Sequence, residues 1–322
     1  MIVFGQTTDG RDVHALTLSA GDLTVRLLNW GAVLHSVRLA GVDYDLTLGS
    51  DDVTDYEDRL SYHGSLIGPV VNRLTRAQAE IAGQTYHFEA NLNGTHSLHC
   101  GACGTHLKLW EIVDHGPAHA TFAVDLPDGE GGYPGNRRVT ARFEVEAPAT
   151  LRMTIDGVTD APSIMNFANH GYWNLDGSAT WEGHSLKIAA DRVLPTDDLF
   201  IPTGEIRDVT GTPYDLRDGR VLALDEPPID NCFVLSDDVM PLREVLWLTG
   251  ASGVRLAMAT DAQGMHVFDG RHDYSPNFGR YRALAFEAEN WPDAPNHAGF
   301  PSIEIGPDAP YHQLTEWRFS KP

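Results

Sequence analysis

The sequence predicts an all-β protein, a large antiparallel β-sandwich with few short helices. Three observations carry that expectation. Apolar and polar residues alternate with period two in run after run, the pattern of half-buried strands. No segment of about a dozen residues or more carries a helical apolar stripe. The chain also holds 31 glycines and 19 prolines, which suits many short strands joined by turns.

The runs can be followed along the chain. Residues 22–41 (DLTVRLLNWGAVLHSVRLAG) read as two strands broken at 29–31. Strands are next expected at 84–91 (QTYHFEAN), 120–127 (ATFAVDLP), 136–147 (NRRVTARFEVEA) and 150–160 (TLRMTIDGVTD). Later ones fall at 184–194 (HSLKIAADRVL), 243–261 (REVLWLTGASGVRLAMATD) and 281–289 (YRALAFEAE). Turns are expected at 127–136 (PDGEGGYPGN) and 215–220 (DLRDGR), and short helical turns near 54–58 and Leu216. No exact repeat, low-complexity tract or linker-like shift in composition interrupts the chain, so one domain over 1–322 is expected.

Composition narrows the function. A net charge of −22 repels phosphate backbones and anionic membrane surfaces, so neither a nucleic-acid nor a membrane partner is expected. Strongly anionic substrates are disfavoured too, unless arginines cluster locally. The N-terminal MIVFGQTTDGRD lacks a basic segment followed by an apolar run, so no signal peptide is expected. No stretch approaches the roughly 20 apolar residues of a membrane span. Cys100, Cys103 and Cys232 are too few for a disulfide framework and fit a reducing compartment. The expected location is cytoplasmic.

Five stretches could carry chemistry. In 166–175 (NFANHGYWNL), aromatics could face an apolar ring, amides could meet hydroxyls, and His170 titrates near neutrality. Otherwise His170 is a hydrogen-bonded structural residue. In 66–73 (LIGPVVNR), Asn72 and Arg73 follow a Gly-Pro bend, and the guanidinium could fork onto neighbouring hydroxyls or simply sit exposed. The segment 93–106 (NGTHSLHCGACGTH) holds CxxC at Cys100 and Cys103 with His96, His99 and His106. Structural zinc draws on two spaced clusters, and the second is missing, so a Gly-rich loop presenting His99 into a pocket is the preferred reading over metal or redox. Asp230, in 228–235 (PIDNCFVL), could accept from two hydroxyls or cap a turn. Glu287 and Glu289, in 286–302 (FEAENWPDAPNHAGFPS), share one strand face ahead of an irregular aromatic loop. A carboxylate partly desolvated there, near aromatics such as Trp291, would have the raised pKa of a general base, whereas in so acidic a chain it could equally be a solvated edge.

Together these stretches resemble the aldose 1-epimerase (galactose mutarotase) family. NFANHGYWNLDG is similar to the family's Asn-x-x-Asn-His-x-Tyr-x-Asn-Leu segment, and FEAENWPDAPNH to its Leu-Glu-x-x-x-x-Pro-Asp-Ala-x-Asn-His segment. DGEGGYPGN (128–136), IPTGEIRDV (201–209), HSLHCG (96–101) and the Asn72–Arg73 pair also match, in family order, over nearly the whole chain. The resemblance implies the galactose mutarotase-like supersandwich with its site in a cleft on one face. It implies Glu287 as general base and His170 as general acid, with Arg73, His99 and Asp230 binding sugar hydroxyls and Asn72 and Trp291 completing the substrate-binding set. Phe167 or Tyr172 could stack on the sugar as Trp291 could. It implies a small-molecule aldose as partner, a monomer or homodimer, and no cofactor or metal.

The chain also departs from the pattern. Pro69 follows Gly68 where many members have Arg, which removes a cationic contact. EAEN stands for a commoner Glu-x-Gln-Asn, so Glu289 adds a charge near Glu287. Asn231 and Cys232 follow Asp230 where His-Asn or similar is usual. A pentose or an uncommon hexose is therefore open as substrate. A sugar-phosphate epimerase relative, a non-catalytic carbohydrate-binding protein and a glycosidase using Glu287 with Asp230 remain alternative readings.

Overall fold

The computed structural model describes residues 1–271 and 278–322. Nine strands form the larger sheet, in the order Glu111–His115, His119–Leu126, Arg137–Glu146, Thr150–Thr159, Tyr311–Ser320, Arg255–Thr260, Arg243–Thr249, Ser185–Ile188 and Arg220–Val221. Every neighbouring pair is antiparallel. A six-stranded sheet runs Tyr172–Trp173, Leu284–Glu289, Gly264–Phe268, Asp230–Val234, Arg192–Val193 and Arg207–Asp208. A four-stranded meander, Ile2–Gln6 to Val33–Leu39, adds Leu18, Val25 and Leu39 to the same core as Phe122 and Phe143. The all-β expectation holds, and the one α-helix among the described residues is Val53–Glu57, capped by Asp52, which accepts from the Thr54 N–H at 2.9 Å.

Strand expectations and outcome agree closely where alternation is long. Residues 22–41 fold as Leu23–Leu28 and Val33–Leu39, and 243–261 as Arg243–Thr249 and Arg255–Thr260. The run 184–194 divides between sheets, with Ser185–Ile188 in the larger and Arg192–Val193 in the smaller. Leu216 is not helical; its carbonyl accepts from the Gly219 N–H in an isolated turn. Tyr311–Ser320, central in the larger sheet, was not anticipated. Its inward positions include Gln313 and Thr315 as well as Tyr311, Trp317 and Phe319, so the polar members blur the apolar alternation.

The smaller sheet positions the site. Leu284, Phe286 and Ala288 point into the main core, so Glu287 and Glu289 turn to the other face. His266 lies directly opposite Glu287, and Cys232 directly opposite His266. Residues paired across an antiparallel ladder share a face. Three adjacent strands therefore present Glu287, His266 and Cys232 side by side. No helix among the described residues is long and apolar enough to cross a membrane.

Candidate active site

A cavity of about 490 Å³ opens over that face. Asn72, Arg73, His99, His170, Asp230 and Glu287 all line it. The first three arrive on two interlocked loops. Asn72 and His99 both take positive φ, 66° and 51°, and they hold each other. The His99 N–H donates to the Asn72 carbonyl at 2.9 Å, and the Asn72 N–H donates to His99 Nδ1 at 3.1 Å. That bond leaves Nε2–H as the donor on the far side of the His99 ring. Burial, with the neighbouring His170 and His106, lowers the His99 pKa well below the ordinary value, so the ring is neutral.

His170 follows the short strand Ala168–Asn169, which pairs with Leu66–Ile67. Its N–H donates to the Ser65 carbonyl at 2.9 Å and its carbonyl accepts from the Gly64 N–H at 2.9 Å. Rings hold the imidazole as well: Tyr172 stacks with it at a centroid distance of 5.0 Å, Tyr62 lies near-parallel to it at 6.0 Å, and His63 stacks on Tyr172 at 4.0 Å. His170 Nε2 then faces Glu287 Oε1 at 3.4 Å, with both side chains buried. Burial, reinforced by the charge of Asp230, pushes the Glu287 carboxyl up to about 8, with Arg73 opposing. Burial, with His63 and His266, pushes the His170 imidazole down to about 3. Between those values the proton rests on Glu287 and the His170 imidazole is neutral, so the pair carries no net charge. The solvated acidic edge considered for this strand is thereby overturned, since every residue of Leu284–Glu289 is buried.

On the same sheet face, two strands from Glu287, stands an ionised clamp. The Arg73 guanidinium donates to both oxygens of Asp230, at 3.3 and 3.1 Å, and His266 Nε2 lies 2.8 Å from Asp230 Oδ1. Burial alone would raise the Asp230 pKa, but Arg73 and His266 outweigh it and hold the carboxyl below its ordinary range. Asp230 thus opens its strand without capping a turn.

The aromatic assignments need correction. Trp291 does not line the cavity. The Asn290 N–H is tied to Asn166 Oδ1 at 2.8 Å, and the indole turns into a separate core where its Nε1–H donates to the Gln263 carbonyl and its face meets Phe300. Phe167 is also interior, packed so tightly on Gly68 that a Cβ there would lie 1.9 Å from the ring. Tyr172 does line the cavity, joined by Tyr62, Phe200 and Phe268, which the sequence reading missed along with His266. Nor do the asparagines of 166–175 await hydroxyls. Asn166, Asn169 and Asn174 are buried and donate to the carbonyls of Asn290, Gly64 and Arg282, stapling backbone segments that no strand pairs.

The cysteine segment is structural in its bonding. Cys100 is buried, its Sγ donating to the Val70 carbonyl and accepting from the Val70 N–H and the Tyr133 hydroxyl. The only His/Cys/carboxylate triplet among the described residues with metal-like spacing is His99, His170 and Glu287, whose donor atoms lie within 4.8 Å of one another. His99 fits a metal poorly, because its Nδ1 accepts the Asn72 amide and its Nε2 therefore carries the proton.

The family model for aldose 1-epimerases matches residues 14–317. The chain belongs to the aldose 1-epimerase family. It is 30% identical to the aldose 1-epimerase of Escherichia coli strain K12, over 97% of this chain and 96% of that protein. It is 29% identical to the galactose mutarotase of Mus musculus, over 99% and 97%. Among solved structures it resembles a Caenorhabditis elegans GalM/aldose epimerase homologue, with a TM-score of 0.90 at 28% identity, covering 96% of this chain and 99% of that one. Aldose 1-epimerases are isomerases, and this chain carries their β-rich fold.

Proposed function

We propose that this aldose 1-epimerase interconverts the α and β anomers of a free pentose or hexose, with Glu287 as general base and His170 as general acid. The carrying observation is the buried Glu287–His170 contact at 3.4 Å lining one cavity together with the Arg73–Asp230 clamp. Mutarotation opens the pyranose ring: the C1 hydroxyl loses a proton as the ring oxygen gains one. Rotation about C1–C2 and reclosure then exchange the faces. The proton that rests on Glu287 first passes to His170 across the 3.4 Å contact. The freed carboxylate then takes the C1 hydroxyl proton as the imidazolium gives one to the ring oxygen, and closure reverses the transfers. Each positioned group contributes on the order of 10²–10⁴-fold.

Asp230 and Arg73 would bind hydroxyls, with Asp230 accepting and Arg73 donating. The neutral His99 would donate a hydrogen bond from Nε2–H and would not share the acid role. Tyr62, Tyr172, Phe200 and Phe268 supply aromatic surface for the C–H face of the ring. A phosphorylated sugar fits less well, because both arginines at the cavity are already paired, Arg73 with Asp230 and Arg59 with Asp55. Glycosidase chemistry fits less well too, since it would need Asp230 as a free nucleophile or base beside a protonated Glu287, and Arg73 and His266 already bond both Asp230 oxygens.

The test is NMR exchange between α and β anomeric protons of glucose, galactose, xylose and arabinose. Wild type should exceed the spontaneous rate on at least one sugar, and Glu287→Gln and His170→Asn should lose that excess. Sugar binding by wild type without faster exchange on any of the four would overturn the catalytic reading in favour of a carbohydrate-binding protein.

A further inference from the structure

Glu289 is fully buried two residues from the proposed base, and the chemistry above gives it no task. Its surroundings do. Asn72 divides its amide protons: Nδ2 donates to Glu289 Oε1 at 3.1 Å and to His266 Nδ1 at 3.1 Å. The side-chain Oδ1 of Asn72 accepts from the Arg73 N–H at 2.9 Å, which fixes the orientation of the amide. Because His266 accepts at Nδ1, its proton sits on Nε2 and goes to Asp230 at 2.8 Å. The line Glu289–Asn72–His266–Asp230 therefore ends on the sugar-binding clamp.

We infer that Glu289 serves as an uncharged carboxylic acid, a positioning residue that holds Asn72 and His266 in the arrangement that aims Asp230 at the substrate. The inference rests on reading the cavity as an aldose site.

Geometry favours the uncharged form. Oε2 of Glu289 is buried with no hydrogen-bond partner among the described residues, a position where a carboxylate charge would be uncompensated. Oε1 lies 3.8 Å from His266 Nδ1, so a charged Glu289 would draw a proton to that nitrogen and displace the Asn72 amide. The titratable and charged groups that interact with Glu289 are Glu287 on its own strand, His266 on the next, Asp230 and Cys232 on the one beyond, Arg73 from the short strand Arg73–Leu74 and, through the sheet, Tyr311. Burial raises its pKa most, Glu287 and Asp230 add to the rise, and the Asn72 hydrogen bond and Arg73 fall short of offsetting them. Cys232 and Tyr311 are themselves pushed upward by burial and stay neutral beside it.

The experiment compares wild type, Glu289→Gln and Glu289→Ala. Unfolding is followed from about pH 5 to 8 and anomer exchange at pH 7. A carboxyl uncharged when folded but ionised when unfolded makes wild type lose stability as the pH rises above its unfolded value near 4.5. Glutamine lacks that dependence. The folding equilibrium constant of Glu289→Gln relative to wild type should grow by up to about tenfold per pH unit. In exchange kinetics Glu289→Ala should raise KM at least several-fold with a smaller effect on kcat, and Glu289→Gln should restore KM. A stability difference that stays flat or shrinks with pH would overturn the inference, because Glu289 would then be charged in the fold. Loss of kcat in Glu289→Gln matching that of Glu287→Gln would also overturn it, because the carboxyl would be acting on substrate. If wild type accelerates no aldose, the aldose reading fails while the unfolding series still decides whether Glu289 is charged.

Discussion

Nε2 of His170 lies 3.4 Å from Oε1 of Glu287, and neither side chain is open to bulk solvent. This relationship fixes a pH dependence. With Glu287 pushed up to about 8 and His170 down to about 3, the pair keeps its single proton between those values. Above the upper one the proton is lost and no acid remains for the ring oxygen. The enzyme-specific kcat/KM for anomer exchange should be level through neutrality and fall about tenfold per pH unit beyond the upper limb. A stopped-flow polarimetric profile checks this, and a limb near pH 6.5 would return control to an ordinary histidine.

Glu287→Gln should cost on the order of 10²–10⁴-fold in kcat while leaving KM within a few-fold, because the hydroxyl contacts belong to the clamp. Single-sugar NMR exchange at pH 7 measures both. A rise in KM with unchanged kcat would reassign Glu287 to binding.

Asp230→Ala should raise KM strongly and also destabilise the fold by up to about 3 kcal/mol, since it leaves the part-buried Arg73 guanidinium without its partner. Adding Arg73→Met should recover part of that stability but none of the binding. Asp230 is held below its ordinary range, so its stabilising contribution is complete above the unfolded value near 3.8 and disappears as the pH falls through the folded one. Urea unfolding of the wild type and the two variants at pH 7 and at about pH 2.5 tests both statements.

Much of this was legible in the chain because local rules and tertiary demands agree. Long alternating runs such as 136–147 and 150–160 became Arg137–Glu146 and Thr150–Thr159. Six of the seven named site residues line one cavity because strand alternation and turn chemistry place them there. Trp291 was misplaced because the sequence shows an aromatic beside a carboxylate but not the Asn166–Asn290 tie that turns the indole inward. His266 was overlooked because GMHVF reads as an unremarkable short strand, and only its register opposite Glu287 gives it a part. Tyr62 and Phe200 sit on connections without period, so only tertiary contacts bring them to the cavity.

The aromatic column around His170 should matter to rate. Tyr172→Leu keeps an apolar residue of moderate size but removes the stacked ring 5.0 Å from the imidazole and the support of His63 behind it. Ring stacking of this kind contributes about 0.5–1.5 kcal/mol. Turnover should therefore fall several-fold, and Tyr172→Phe should retain most of it. Equal losses in both variants would mean that the Tyr172 hydroxyl, not its ring, is the working part.

Gly68→Ala should damage both stability and catalysis. The added methyl would lie 1.9–2.4 Å from three carbons of the Phe167 ring, and that ring is fully buried and cannot swing into solvent. Overpacking of this kind typically costs about 1–3 kcal/mol. The strain also falls beside the ladder that joins Leu66–Ile67 to Ala168–Asn169, immediately before His170. Displacement there would open the His170–Glu287 contact, so kcat should drop along with the unfolding midpoint. Phe167→Leu shortens the obstructing side chain at the point of contact. In the double variant Gly68→Ala/Phe167→Leu, part of both losses should return; recovery of stability without kcat would show that the ladder does not set the position of His170.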